Sequence, residues 1–420
     1  MAKSILTSPP RGWNSWDCYG ASVREDEVRS NAEYMSEKLK QYGWEYIVVD
    51  IQWYEPNASS NEYNDGAKLE MDEYSRLIPA VNRFPSAADG AGFRPLAEYI
   101  HSRGLKFGIH ILRGIAKQAV RQNTAIEGSS AKAADIADTG SICEWNGDMY
   151  GVDMSKDGAQ EYYDSLFRMY AEWGVDFVKV DDIARPYHEE EIEGIRKAID
   201  KCGREMVLSL SPGAAPADKA DHLAANANMW RMTDDFWDSW ELLRDMLDYC
   251  RTWFVYVKDG AYPDCDMMPL GKIGIRSAGK PRMTNFSRDE QIFLMTLWCI
   301  FRSPLIFGGD LRYNDEFTLS LLTNEELLHI NSYSYAGREV YRRGSAVVWA
   351  ANGKKGVVYA AIFNTSEEEI TENGPLEFIS SQSATSAVEI WTGKTVRVNE
   401  NTIAADVPPH GARLFRIETV

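Results

Sequence analysis

Short apolar runs of strand length alternate with amphipathic stretches of helix length over most of the 420-residue chain, the pattern of βα units wound around a parallel sheet. Eight runs have strand character: GWNSW (12–16), YIVVD (46–50), KFGIHI (106–111), DFVKVD (176–181), VLSLS (207–211), MWRM (229–232), DCDMM (264–268) and PLIFGG (304–309). Helical periodicity fills intervals such as 27–42, 158–173 and 287–301. Eight strands with crossover helices over about 330 residues predict an α/β fold, a (β/α)8 TIM barrel with inserted loops, and a doubly wound open sheet is the alternative. Nearly every run ends in a polar or aromatic residue. That favours the barrel, which gathers all eight carboxyl ends around one pocket, whereas an open sheet gathers only those at its switch point.

The texture changes after residue 332. SAVVWAA, GVVYAAIFN, AVEIWT, TVRVN and ARLFRIE are β-rich runs separated by Gly, Asn, Ser and Pro. Two units are therefore expected: a barrel over 1–332 and a C-terminal antiparallel β-sandwich domain over 333–420 packed against it. The longest apolar run, 292–301, is ten residues and is closed by Arg302. It is far short of the roughly 20 needed to cross a bilayer and reads as a buried core helix.

Charge narrows the partners. Lys and Arg number 45 against 63 Asp and Glu, a formal charge of −18, which repels phosphate backbones and anionic lipid surfaces. No nucleic acid and no membrane are expected. With 44% hydrophobic residues the chain can bury a large core, and 13 Trp with 21 Tyr offer flat apolar faces with polar rims, suited to sugars. The six cysteines (Cys18, Cys143, Cys202, Cys250, Cys265 and Cys299) form no CxxC pair, and no His stands at zinc-finger spacing. Free thiols and no structural zinc follow. The segment MAKSILTSPP has no apolar stretch of the 7 to 15 residues a secretory signal needs, so the expected location is cytoplasmic. Neither a nucleophile elbow, a P-loop nor a GxGxxG after a strand occurs. Serine hydrolases, kinases and dehydrogenases are set aside, and no cofactor is expected.

The strongest chemical cluster is DFVKVDD, where Lys179 and Asp181, two apart on a strand, share the barrel's interior face. A carboxylate at the pocket mouth with a cation below it stays ionised, as a nucleophilic carboxylate must; the same pair also reads as a structural ion pair. Asp182 faces the other way. The second cluster is WRMTDDFWDSW, with Arg231 four residues before Asp235. Among Trp230, Phe236, Trp237 and Trp240 the Asp235 carboxyl is expected in an apolar setting that raises its pKa, as suits a general acid. Two carboxyls with separated pKa values, about 5 to 5.5 Å apart, are the working parts of a retaining glycosidase. Alternatively, Asp234, Asp235 and Asp238 cap a helix beginning there. Asp50, Asp264 and Asp266 add acceptors for hydroxyls at other strand ends. Trp16, Trp53 and Trp145 are candidate stacking faces, and His110 ends the third strand.

In order and at plausible spacing, PPRGWNSWDCYG, YIVVDIQW, GLKFGIHI, WGVDFVKVDD, LSLSPG, MWRMTDDFWDSW, DCDMMPLGKIG and SPLIFGGDLR resemble glycoside hydrolase family 27, which holds α-galactosidases and α-N-acetylgalactosaminidases. The resemblance implies a (β/α)8 barrel with a C-terminal β-domain, and metal-free hydrolysis of terminal sugars with retention through a covalent glycosyl intermediate. It places the nucleophile on Asp181, the acid/base on Asp235, and sugar-holding residues on Trp16, Asp50, Lys179, Arg231 and Asp266. Three departures bear on specificity. Ile51 stands where α-galactosidases usually have a second acid for the sugar's primary alcohol, which implies a preference for β-L-arabinopyranosides, pentoses with the same ring stereochemistry but no such alcohol. Ser211 and Ala214 replace larger residues near the C2 substituent, as in α-N-acetylgalactosaminidases. His110 replaces a Tyr and Ile183 a Cys, which removes a family disulfide and fits a reducing cytoplasm.

The expected substrate is a small oligosaccharide or glycoside. A homo-oligomer is compatible with the sequence, which does not specify one. Two other classes compete: a metal-assisted barrel with Asp181, Asp182, Asp264 and Asp266 around Mg2+, which activity in EDTA would eliminate, and a non-catalytic sugar-binding barrel, which binding without turnover would support.

Overall fold

The computed structural model describes residues 6–211, 213–354, 356–375, 379, 384, 386–398 and 402–419; the first five residues of the MAKSILTSPP segment and Pro212 of LSLSPG lie outside them. Eight parallel strands form one sheet: β1 (Arg11–Asn14), β2 (Tyr46–Val49), β3 (Lys106–Leu112), β4 (Phe177–Asp181), β5 (Val207–Leu210), β6 (Met229–Arg231), β7 (Tyr262–Asp264) and β8 (Leu305–Phe307). Neighbours pair from β7 through to β1, and β1 pairs with β8. A parallel bridge between Met268 and Phe307 closes the ring, with Met268 N donating to Ile306 O at 2.7 Å and Gly308 N to Met268 O at 2.9 Å. The predicted TIM barrel is the fold, and the open sheet is not.

Alternation along each strand decides what fills the barrel. Tyr46, Val48, Phe177, Val207, Met229, Tyr262 and Ile306 form one buried cluster, while Ile47, Val49, Val178, Val180, Leu208 and Trp230, their sequence neighbours, join the shell beneath the helices. Two residues further along the inward faces come Asp50, Lys179, Ser209, Arg231 and Asp264. The interior therefore changes from an apolar plug to a charged floor as the strands rise. Glycine makes the plug fit: a Cβ on Gly12 would lie 2.6 Å from Tyr46 O, and one on Gly108 would lie 3.0 Å from Phe177 Cβ.

Outer helices follow the expected periodicity. Ser287 caps Arg288–Phe301 through a reciprocal pair with Glu290, and Gly174, in a left-handed conformation, ends Ala159–Trp173. The stretch predicted as 27–42 begins at Glu25 and, after Tyr34, continues as a widened turn and then a tight one to Gly43. Two strand positions differ from expectation. The seventh strand is Tyr262–Asp264, and the 264–268 stretch leaves it through Asp266 at φ 82; β1 stops at Asn14, so Trp16 opens a short helical turn. An insertion after β3 adds an antiparallel flap of Ile115–Ala116, Ala137–Ile142 and Met149–Val152.

Past the helix Glu325–Tyr333 the strands are β9 (Tyr335–Arg343), β10 (Ala346–Asn352), β11 (Val357–Asn364), β12 (Ile370–Pro375), β13 (Ser386–Glu389), β14 (Thr395–Arg397), β15 (Thr402–Val407) and β16 (Ala412–Glu418). They build a six-stranded antiparallel sheet ordered β9-β10-β11-β16-β13-β14 and a ribbon of β12 with β15. Val348, Ala350, Ala360 and Ile362 face the ribbon's Ile403, Ala405 and Val407, while Val347, Trp349, Ala361 and Phe363 pack on the barrel's helices. Burial on both faces explains why SAVVWAA reads as a continuous apolar run. His410 stacks on Trp240 at 3.7 Å and Phe363 meets Phe293 at 4.7 Å across the junction. Among the described residues no helix is long and apolar enough to cross a membrane.

Candidate active site

The inward faces of β2, β3 and β4 deliver Asp50, His110, Lys179 and Asp181 to one place. Lys179 Nζ donates to Asp50 Oδ2 at 3.0 Å, and Asn14 Nδ2 donates to the same oxygen at 2.7 Å. The Ile51 amide donates to Asp50 Oδ1 at 2.9 Å, so the carboxylate is fixed at both oxygens. His110 Nε2 donates to Asp181 Oδ2 at 2.6 Å. Asp181 Oδ1 is buried and has no hydrogen-bond partner among the described residues. Burial works to raise the Asp181 carboxyl, but the Lys179 charge and the His110 bond outweigh it and hold the group well below the usual carboxylate range. Burial would strip Lys179 of its proton; Asp50 and Asp181 outweigh burial and raise its pKa instead. The result is an ionised carboxylate oriented by His110 and held in a fixed field.

Arg231, rising from β6, is clamped between two acids, Asp235 Oδ1 and Asp266 Oδ1, each at 2.9 Å. It also donates to Ser211 Oγ at 3.4 Å. Asp266 Oδ2 accepts from Phe236 N at 2.8 Å, tying the loops after β6 and β7 together. Burial raises Asp266, and it pushes Asp264 up to about 7 with the help of the Asp266 charge. Between the ordinary carboxylate range and about pH 7 the folded state holds more protons at Asp264 than the unfolded state, so its contribution to stability is full at low pH and is lost as pH rises through that window. Asp264→Asn keeps an oxygen for the Asp266 amide, now 2.9 Å away. Thermal unfolding should show the variant gaining on wild type from pH 5 to pH 8; a difference that is flat or shrinks across that range would contradict the assignment.

The structure corrects the expected setting of Asp235. Its side chain is 60% exposed and paired with a guanidinium, not enclosed by rings. Trp230 packs outward against Trp253, Phe236 against Phe286 and Trp298, and Trp240 against His410; of the four rings expected around Asp235, Phe236 and Trp237 line the cavity beside it. The helix-cap alternative is also displaced. Ser239 caps Trp240–Trp253, while Asp238 pairs with Arg282 at 2.6 Å and Asp234 with Arg185 at 2.5 Å.

All of this opens into a cavity of about 1030 Å3 at the carboxyl ends of the strands. Trp16, Asp50, Ile51, Lys179, Asp181, Ser211, Arg231, Asp235 and Asp266 line it, as expected of site residues. His110 does not: it is wholly buried behind Asp181. Ala214 is not in the lining either, although Ser211 and Gly213 are, because the chain turns at Gly213 with φ 86. Trp53 offers no face to a ligand; its ring is enclosed by Tyr54, Phe93 and Trp173, and its Nε1 donates to His110 O at 2.7 Å. The sequence reading passed over Tyr63, Arg185 and Glu144, which come from loops, and Ile142, which ends a flap strand outside the eight barrel runs. It also set Asp182 aside, yet that residue lines the cavity, with its carboxylate 3.1 Å from Arg113 and, through burial, pushed up to about 6.

The four carboxylates weighed for Mg2+ are each committed to cations of the protein or their ligands: Asp181 to Lys179 and His110, Asp182 to Arg113, Asp266 and through it Asp264 to Arg231. They do not converge as a metal cage. Among the described residues the group whose ligand atoms do come within 4.8 Å of one another is Glu189, Glu193 and His222, where Lys219 already bonds Glu189 at 2.6 Å.

A family model described as Alpha galactosidase A matches residues 8–157 and 152–333, and one described as Alpha galactosidase C-terminal beta sandwich domain matches 343–417. A GH27 β-L-arabinopyranosidase from Geobacillus stearothermophilus is 58% identical, with a TM-score of 0.97 over 99% of this chain and 97% of that one. An Asp-to-Ala variant of that enzyme in complex with arabinose matches with the same score. A Bacillus halodurans protein provisionally described as an α-N-acetylgalactosaminidase is 54% identical, with a TM-score of 0.89 over 98% of this chain and 97% of that one. Alpha-galactosidase 2 of Arabidopsis thaliana is 24% identical across 99% of this chain and 91% of its own length.

Proposed function

The chain belongs to glycoside hydrolase family 27, and from that premise we propose that it is a retaining exo-glycosidase that releases terminal galactose-configured sugars, β-L-arabinopyranosides foremost. The observation that carries the mechanism is the Asp181 carboxylate at the cavity floor, kept ionised by Lys179 and oriented by the His110 bond to Oδ2. A carboxylate oxygen of Asp181 attacks the anomeric carbon while Asp235 gives its proton to the departing oxygen. Asp235 then takes a proton from water as the water attacks the same carbon and Asp181 leaves. Arg231, 2.9 Å from Asp235, stabilises the carboxylate that remains after proton donation. Asp50, Lys179 and Asp266 hold ring hydroxyls at the cavity floor.

The sugar preference rests on Ile51. Its side chain is 1% exposed and forms part of the cavity wall, where it offers a hydroxymethyl group no acceptor. A buried hydroxyl without a partner costs about 1–3 kcal/mol, enough for a roughly 5- to 150-fold preference for the pentose. The 58% identical relative named a β-L-arabinopyranosidase supports this reading. A second reading, α-N-acetylgalactosaminidase, draws on Ser211, which lines the cavity beside Arg231, and on the Bacillus halodurans protein; Ala214, outside the lining, adds nothing to it. The test is hydrolysis of p-nitrophenyl α-D-galactopyranoside, β-L-arabinopyranoside and α-N-acetylgalactosaminide. The arabinoside should lead in wild type, and Ile51→Asp should move the ratio toward galactoside. An acetamido sugar that leads in wild type would replace the first reading by the second.

We assign the chemistry to residues 1–332 and a supporting role to 333–420, since the cavity lining ends at Met267. A reducing, cytoplasmic setting is part of the same proposal and rests on the sequence, whose six cysteines are scattered along a long chain with no CxxC pair.

A further inference from the structure

The cavity is far larger than one sugar ring needs. At about 1030 Å3 it exceeds the space of roughly 300–1,000 Å3 that holds a whole drug-sized ligand, yet the residues that grip a terminal sugar occupy only its floor. Above them the lining changes character. On the side of the loops after β1, β2 and β3, Tyr63 lies between Trp16 (6.3 Å between centroids, 21° between planes) and Trp145 (5.8 Å, 44°). This row of rings starts at the sugar floor and ends at Trp145, which is 39% exposed; Ile142 from the same flap is 47% exposed. Apolar faces left open inside a cavity suit a ring that stacks on them. On the side of the loops after β4 and β6, the rim is the Arg185–Asp234 pair, 2.5 Å apart, with each side chain 61% exposed.

Charge selects what can lie there. Nine carboxylates and four cations line the cavity, and each cation is already paired: Arg113 with Asp182, Lys179 with Asp50, Arg185 with Asp234, and Arg231 with Asp235 and Asp266. An anionic leaving group would meet a negative wall and no unpaired cation.

We infer that this outer chamber is a subsite for the leaving group, built for an uncharged ring, a second sugar or an aromatic one, seated on Trp145. The inference rests on the glycosidase reading above. The ring is carried off with the glycosidic oxygen after Asp235 has protonated it, and the terminal sugar stays on the floor.

The experiment compares kcat/KM for methyl, p-nitrophenyl and disaccharide glycosides of the sugar that wild type prefers, in wild type, Trp145→Ala and Trp145→Phe. Trp145→Ala should lower the ratio of p-nitrophenyl to methyl, of disaccharide to methyl, or of both, by about tenfold, and Trp145→Phe should restore most of it; which ratio falls identifies the ring. Ratios that stay unchanged, or a methyl glycoside that suffers as much as the others, would overturn the subsite. In wild type a p-carboxyphenyl glycoside should be cleaved more slowly than its uncharged methyl ester, the gap narrowing with salt; an equal or faster rate would overturn the requirement for a neutral ring. If wild type turns over none of these, the methyl glycoside included, it is the glycosidase reading that fails and not this subsite alone.

Discussion

Replacing Asp181 by alanine should lower kcat by about 10^4-fold or more on every glycoside, because it removes the group that forms the covalent intermediate and leaves only binding and proton transfer. Removal also opens space above His110, whose Nε2 bonds Asp181 at 2.6 Å, and a small anion can enter. Azide should therefore restore measurable turnover, and because it attacks in a single displacement the product should be a glycosyl azide of inverted configuration. Activity in Asp181→Ala near that of wild type would refute the nucleophile assignment. Loss of activity without azide rescue, in a protein that unfolds at the wild-type temperature, would leave Asp181 as a buried partner of Lys179 and His110 rather than a nucleophile.

The second large effect is expected at Asp235, and its signature is selective. Asp235→Ala should lower kcat/KM by about 10^2- to 10^4-fold for alkyl or sugar leaving groups, which need a proton to depart, and far less for p-nitrophenolate, which does not. With p-nitrophenyl substrates the slow step becomes water attack on the glycosyl intermediate, so a burst should precede a depressed steady rate. An equal loss on good and poor leaving groups would exclude Asp235 as the acid. The exposure of this carboxylate, 60% with Arg231 at 2.9 Å, gives the prediction a structural partner. A bound leaving group would displace the water around it and strengthen its field, which ties the acid's performance to the ring proposed to sit on Trp145.

Much of the site was legible because strands write their geometry into sequence. Lys179 and Asp181 share a face by the period of two, and the structure puts both at the cavity floor with Asp50 and Arg231. Arg231 and Asp235, four apart, do pair. What failed was environment. The rings around Asp235 are close in sequence, but Trp230, Phe236 and Trp240 spend their faces on Trp253, Phe286 and His410, residues the local pattern could not place beside them. His110, named among the candidates at the strand ends, stands behind the cavity wall and holds Asp181 from there. Trp53 was expected as a stacking surface and is sealed in the shell between sheet and helices.

The sequence by itself determined that there are eight strands, the alternation of faces along each of them, the change of texture after residue 332 and the two acids offered for the chemistry, since each of these is set by spacing within a few residues. The tertiary structure alone decided that His110 holds Asp181, that Arg231 joins two acids from different loops, and that Trp16, Tyr63 and Trp145 make one row of rings. The physical reason is distance along the chain: His110 reaches Asp181 across 71 residues, and such contacts depend on how the barrel closes and where its loops fall, which no local hydrophobic pattern encodes.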